Sequence, residues 1–136
     1  MKFSPQIAFN DVEERDADEV YPYILERLSD RQLAYVHVSD GAGAGWHSKL
    51  RPHYRGVYFA GAGFTRESGA ELLARGGADA IVYGVKFLAN PDLPERFRRG
   101  AQLNEPERST FYTPGERGYT TYPTLEHTLD AGTNVS

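Results

Sequence analysis

With 136 residues, 40% hydrophobic and 25% charged, the chain has the composition of one soluble globular domain able to bury roughly two thirds of its unfolded surface. A formal net charge of −4 argues against a nucleic-acid partner, which needs a concentrated basic surface. The chain has no cysteine and no apolar run near the roughly 20 residues of a membrane span, so disulfides, thiolate chemistry, Cys-ligated zinc and a membrane role are not expected. MKFSPQIAFND lacks the apolar stretch of a secretory leader, and the cytoplasm is the default expectation.

The first predicted element is a strand stub at Lys2–Ser4, followed by a helix in DADEVYPYILERLSDRQ with Val20, Ile24, Leu25 and Leu28 on one face. Pro22 is expected within the first turns of that helix, where its missing N–H costs little. LAYVHV, Leu33–Val38, reads as a buried strand in which His37 is a hydrogen-bonded interior residue. The glycines Gly41, Gly43 and Gly45 precede WHSKLRPHYRG, which has no helical apolar period and is read as a flexible loop rather than a dinucleotide site. His47 and His53 lack the companion ligands of a metal site.

A third strand is expected at Gly56–Ala60, then a helix capped by Thr65 and stopped by Gly76. The fourth strand, Asp79–Tyr83, leads into a Gly turn, one short helical turn, and a helix opened by Asp92 and Pro94. Arg96, Arg98 and Arg99 complement the last turn of that helix before Gly100. Beyond it, Phe111, Tyr112, Tyr119 and Tyr122 predict an ordered tail, with a helix from Pro123 to Ala131 and free residues only at TNVS.

Strands alternating with helices imply an α/β fold with a parallel sheet. Four βα units are half of a (β/α)8 TIM barrel, which takes about 250 residues and eight strands. The organisation read is one partial barrel domain over 1–136, with βα units in 1–99 and a packed tail in 100–136. Half a barrel leaves two sheet edges, so a complementary half-barrel or self-association is expected.

FAGAGFTRE (59–67) and VYGVKFLANPDLPERF (82–97) both end a strand in a glycine turn. Adjacent turns of this kind at a barrel's C-terminal rim make an anion site, whereas singly they are only turns; both readings stand at this point. In the anion-site reading, a side chain at Gly84 either blocks a positive φ or occupies phosphate space. No G-x-S-x-G elbow or P-loop occurs.

LAYVHV, the doublet of turns, GVKFLANPDLPERFRRGAQLN, STFY and GYTTYPTLE follow one another as in the old yellow enzyme family, which the chain resembles from about Lys2 to Glu126. The resemblance implies the C-terminal half, strands 5 to 8, of a barrel that binds FMN, is reduced by NAD(P)H, and passes hydride to the β-carbon of a small activated alkene. Carried over residue by residue, the arginine at the flavin's pyrimidine end falls at Lys2, and the strand 7 phosphate turn at Ala62 and Gly63. The strand 8 turn falls at Gly84 and Val85, and the tail aromatic at Phe111 or Tyr112. Lys2 loses the planar fork of arginine, and Val85 stands where the family has arginine. The family's carbonyl-holding pair and proton-donating tyrosine belong to earlier strands, so no catalytic residue is assigned. Two readings follow: the FMN-binding half of an ene reductase, or a truncated, inactive relative acting as a self-associating half-barrel.

Overall fold

Four short parallel strands lie side by side in chain order: β1 (Lys2–Phe3), β2 (Val36–Ser39), β3 (Tyr58–Gly61) and β4 (Ala80–Val82). This is a computed structural model, and it describes residues 1–7, 13–41 and 43–126. The chain divides into two compact units, Met1–Val82 and Tyr83–Ser136.

In the first unit, the register aligns Lys2, His37, Phe59 and Ala80 in one row and Phe3, Val38, Ala60 and Ile81 in the next. Because side chains alternate along a strand, these rows face opposite sides of the sheet. The second row, with Val36 and Tyr58, packs on Leu25, Trp46, Leu50 and Leu72 to form the core. Each such large apolar side chain contributes about 1.5–3 kcal/mol when removed from water. The other face carries Lys2, His37 and Phe59, with Tyr35 stacked on Phe59 at 4.4 Å and 43% exposed.

Helix α1 (Ala17–Leu28) turns Ala17, Tyr21, Leu25 and Leu28 inward, a spacing of four, four and three. Val20, expected on that face, is exposed instead, because the buried stripe starts at Ala17. Pro22 falls within the first turns as expected, but as the sixth helical residue it leaves the Asp18 carbonyl without its N–H partner within the helix, so the missing N–H is not free. The stretch expected to be a flexible loop is ordered: Trp46–Leu50 forms α2, Arg51–His53 a 3₁₀ turn, and Trp46, His47 and Leu50 are buried. Helix α3 (Arg66–Ala74) begins as expected at Thr65, whose hydroxyl accepts from the Ser68 N–H in a capping box, and Gly76 beyond it takes φ +71.

The second unit holds α4 (Val85–Ala89) and α5 (Leu93–Arg99), the latter stopped by Gly100 at φ 64. Arg96 does more than complement a helix end. It is buried and donates to Asp92 Oδ1 at 2.7 Å, the Gln102 carbonyl at 2.6 Å and the Pro123 carbonyl at 2.9 Å. Asn90, also buried, donates to the Lys86 carbonyl and accepts from the Asn104 N–H, while Asn104 donates to the Ala89 and Pro123 carbonyls. The tail is therefore tied by side chain to backbone bonds as far as Leu125; the helix expected over Pro123–Ala131 and the free TNVS run into residues outside the described ones.

Candidate cofactor site

The turn after β3 is conformationally constrained. Ala62 and Gly63 take φ 73 and φ 75 in succession. Positive φ is free for glycine but costs a residue with a Cβ roughly 1–2 kcal/mol, so Ala62 must be held there by its surroundings. The holding groups lie immediately before it. The Gly61 carbonyl accepts from the Asp40 N–H at 3.1 Å and from His47 Nε2 at 3.3 Å.

Asp40 ends the strand segment before the Gly-rich loop and folds that loop back, its carboxylate accepting from the N–H groups of Ala44 and Trp46 at 3.0 Å each. This delivers α2, and with it His47, against β3. His47 is fixed as one tautomer: a carbonyl can only accept, so Nε2 carries the proton and Nδ1 accepts from the Tyr58 hydroxyl at 3.2 Å. Burial lowers the His47 pKa against the opposing pull of the Gly61 bond and of Asp40. Burial likewise pushes the Tyr58 hydroxyl well above the usual tyrosine range.

His37 shares the row of Lys2, and its Nε2 is enclosed next to Gly61, where an added Cβ would run into it. The expectation of a hydrogen-bonded interior histidine is not met: among the described residues Nε2 has no partner. Burial, then Lys2, His47 and the N-terminus, lower its pKa and disfavour the charged imidazolium. Lys2 itself is exposed on β1, separated from the β3 turn by β2.

The other candidates belong to the second unit. Gly84 precedes α4 with φ −81 and ψ −79, so the positive φ allowed for it does not occur; an added Cβ meets no atom of the described residues within 4 Å. Its glycine is thus required neither by the backbone nor by the described protein atoms around it. Val85 opens α4 and is exposed. Phe111 follows the 3₁₀ turn Arg108–Thr110 and is half-buried, whereas Tyr112 is 95% exposed at φ 61, with its N–H donating to the Tyr119 hydroxyl at 2.7 Å. A cavity of about 250 Å³ lined by Asp92, Glu95, Arg99, Thr124, Leu125 and Glu126 contains none of the candidate residues. His47 and His53 have partners of their own, His53 with Glu26 at 2.6 Å, and no cluster of three or more metal-ligating side chains exists among the described residues.

No protein-family model matches the chain. Curated relatives do: it is 41% identical over 127 residues to the "probable flavin mononucleotide-dependent alkene reductase" of Leishmania infantum, covering 90% of this chain and 35% of that protein. It is 37% identical over 138 residues to 12-oxophytodienoate reductase 2 of Arabidopsis thaliana, covering 94% and 37% respectively. Among solved structures, morphinone reductase superposes on 93% of the chain with a TM-score of 0.83 at 34% identity, over 36% of its own length. The old yellow enzyme from Trypanosoma cruzi does so over 91% of the chain with a TM-score of 0.85 at 29% identity.

Over about nine tenths of its length the chain resembles part of the old yellow enzymes. It spans about a third of the length of these relatives, and its four parallel strands in chain order are half of their (β/α)8 barrel. Within the matched segment, what the sequence missed was the support under the β3 turn. Asp40 directly before a Gly-rich stretch was its one visible signal, since such a side chain readily accepts from the N–H groups that follow it.

Proposed function

We propose that this chain supplies the flavin-phosphate strands of an FMN-dependent, NAD(P)H-reduced ene reductase, acting on a small activated alkene together with a complementary half-barrel. The observation that carries the reading is the β3 turn: two successive positive-φ residues, one of them an alanine held there at a cost, with open space where a Cβ of Gly63 would stand. Consecutive backbone N–H groups in such a turn suit an oxyanion, whatever the side chains. Gly84, which has no protein-internal reason to be glycine, supports a close ligand approach at the second turn.

In this reading the backbone of Ala62, Gly63, Gly84 and Val85 binds the phosphate, Lys2 faces the pyrimidine end, and Phe111 or Tyr112 covers the dimethylbenzene edge. FMN, when bound, supplies the hydride chemistry; this chain's own residues bind and orient it. The cytoplasm, where reduced nicotinamide is available, is the proposed place of action. Titration of FMN fluorescence against the chain mixed with the complementary strands of a relative tests the assignment. Gly84→Val is expected to abolish binding and Val85→Arg to strengthen it; unchanged affinity in both would leave the turns as turns. The chain by itself is expected to reduce no enone with NAD(P)H above the free-flavin background, and turnover by the purified chain would refute that.

A second reading, an inactive self-associating relative, is favoured by one observation: the Tyr35–Phe59 stack on the sheet face opposite the core leaves Tyr35 43% exposed. Sedimentation distinguishes the two. A self-associated species that takes up neither FMN nor the complementary strands belongs to the second reading, and a stable monomer argues against self-association.

A further inference from the structure

We propose that His47 is a positioning residue for the anion-binding turn after β3, fixing through the Gly61 carbonyl the direction in which the Ala62 N–H points. The inference rests on the reading of Ala62 and Gly63 as an anion site.

The Gly61 carbonyl and the Ala62 N–H belong to the same planar trans peptide, so they point in opposite directions. Two donors pin that carbonyl toward the Gly-rich loop and α2: the Asp40 N–H at 3.1 Å and His47 Nε2 at 3.3 Å. The Ala62 N–H is thereby aimed away from the loop, before any anion arrives. Preorganisation of this kind is what an anion-binding backbone requires, because a donor free to rotate loses its advantage over water.

The donor state of His47 is set from the opposite side of its ring. Tyr58 donates its hydroxyl proton to Nδ1 at 3.2 Å, which leaves the single imidazole proton on Nε2, facing Gly61. Tyr58 and Gly61 are the first and last residues of β3, so the relay runs from the start of the strand, through a side chain of α2, to its end. His37 closes the opposite side of Gly61 and keeps that position a glycine, which leaves the peptide no side chain of its own to steer it. Asp40 serves both ends of the device: its N–H is the second donor to Gly61, and its carboxylate folds the loop that presents His47.

The test uses the full chain, with inorganic phosphate and FMN as probes and the backbone amide resonances of Ala62 and Gly63 as readout. In the unsubstituted protein both amides are expected to shift on titration with phosphate. His47→Phe fills the ring's space without a donor; it should weaken phosphate about fivefold, the net worth of one hydrogen bond, and move the Ala62 amide even without phosphate. His47→Gln, whose amide reaches a similar position, should restore affinity to within about twofold. Tyr58→Phe keeps His47 but releases its tautomer and should fall between them, so the proposal remains testable if His47→Phe does not fold. Equal phosphate affinity in all variants, with a responsive unsubstituted protein, overturns the role of His47 and leaves the anion site standing. Amides that ignore both phosphate and FMN in the unsubstituted protein overturn the anion site itself, and the inference with it.

Discussion

The two units of the chain are held together by different physics. Met1–Val82 is organised around an apolar cluster in which Leu25, Val36, Val38, Trp46, Leu50, Tyr58 and Ala60 have lost nearly all contact with water. In Tyr83–Ser136 the buried side chains include Asn90, Arg96 and Thr110, and the tail is tied by bonds from side chains to backbone groups. Apolar burial is graded and tolerant, whereas a buried polar network fails when one member is removed, because its partners stay buried without it.

The largest expected effect follows from that difference. Arg96→Leu strands the Asp92 carboxylate and the carbonyls of Gln102 and Pro123, and is expected to destabilise the second unit by about 3–5 kcal/mol. Leu25→Ala in the first unit should cost about 2–5 kcal/mol, the usual range for a buried leucine. Trp46, the chain's single tryptophan, reports unfolding of the first unit, and amide exchange in α5 reports the second. If Arg96→Leu moves the Trp46 transition as far as it moves α5 protection, the units unfold as one and the contrast fails.

Acid separates them next. The pKa values of His37 and His47 are lowered chiefly by burial, so the folded protein binds these protons less readily than the unfolded chain. Their unfolded pKa is about 6.5, and the first unit should therefore lose stability as pH falls below that value. Asp92 behaves oppositely. Burial pushes its carboxyl up, but bonds from Arg96 and the Leu125 N–H outweigh it and hold the pKa below the ordinary carboxylate value. The stability it contributes is complete above an unfolded pKa of about 3.9 and is lost as pH falls through the folded one. Between about pH 6.5 and 4, the Trp46 signal should weaken while α5 protection persists. Loss of both together would show that these groups do not set the acid response.

The glycine turns give a smaller contrast. Gly63→Val forces a β-branched side chain to φ 75 and should cost about 1–3 kcal/mol, while Gly84→Val, at φ −81 with open space around it, should change stability by less than about 0.5 kcal/mol. Denaturant midpoints of the two variants measure the difference, and equal losses would place a constraint at Gly84 that its backbone does not show.

How much of this could be read in the sequence follows the same division. The four strands, the Thr65 cap and the Gly100 stop rest on local signals, short apolar runs and capping residues; the caps fall where expected, while β2 starts three residues and β3 two residues later than the runs suggested. Helix α2 was missed because five residues are too few to show a period, and because what orders it, the Asp40 carboxylate, lies six residues before Trp46. The second role of Arg96 was hidden for a related reason: three arginines at a helix end look alike, and only the tertiary fold decides which one turns inward. For the candidate site, the positions came from family resemblance, whereas the support beneath them, His47 and Tyr58 acting on Gly61, joins residues whose pairing no local pattern encodes.

The smallest effect is also the most direct check on the strained turn. Ala62→Gly relieves a positive φ worth roughly 1–2 kcal/mol but gives the unfolded chain more freedom, which costs about 0.4–1 kcal/mol. The two nearly offset, so the stability of Ala62→Gly should lie within about 1 kcal/mol of the parent, on the stabilising side. The same substitution at Ala70, an exposed position inside α3, has only the cost and should destabilise by about 1 kcal/mol. The pair isolates backbone conformation, since neither site loses a buried side chain. If Ala62→Gly proves as harmful as Ala70→Gly, the turn is not strained in solution, and the bonds from Asp40 and His47 to Gly61 have no cost to offset there.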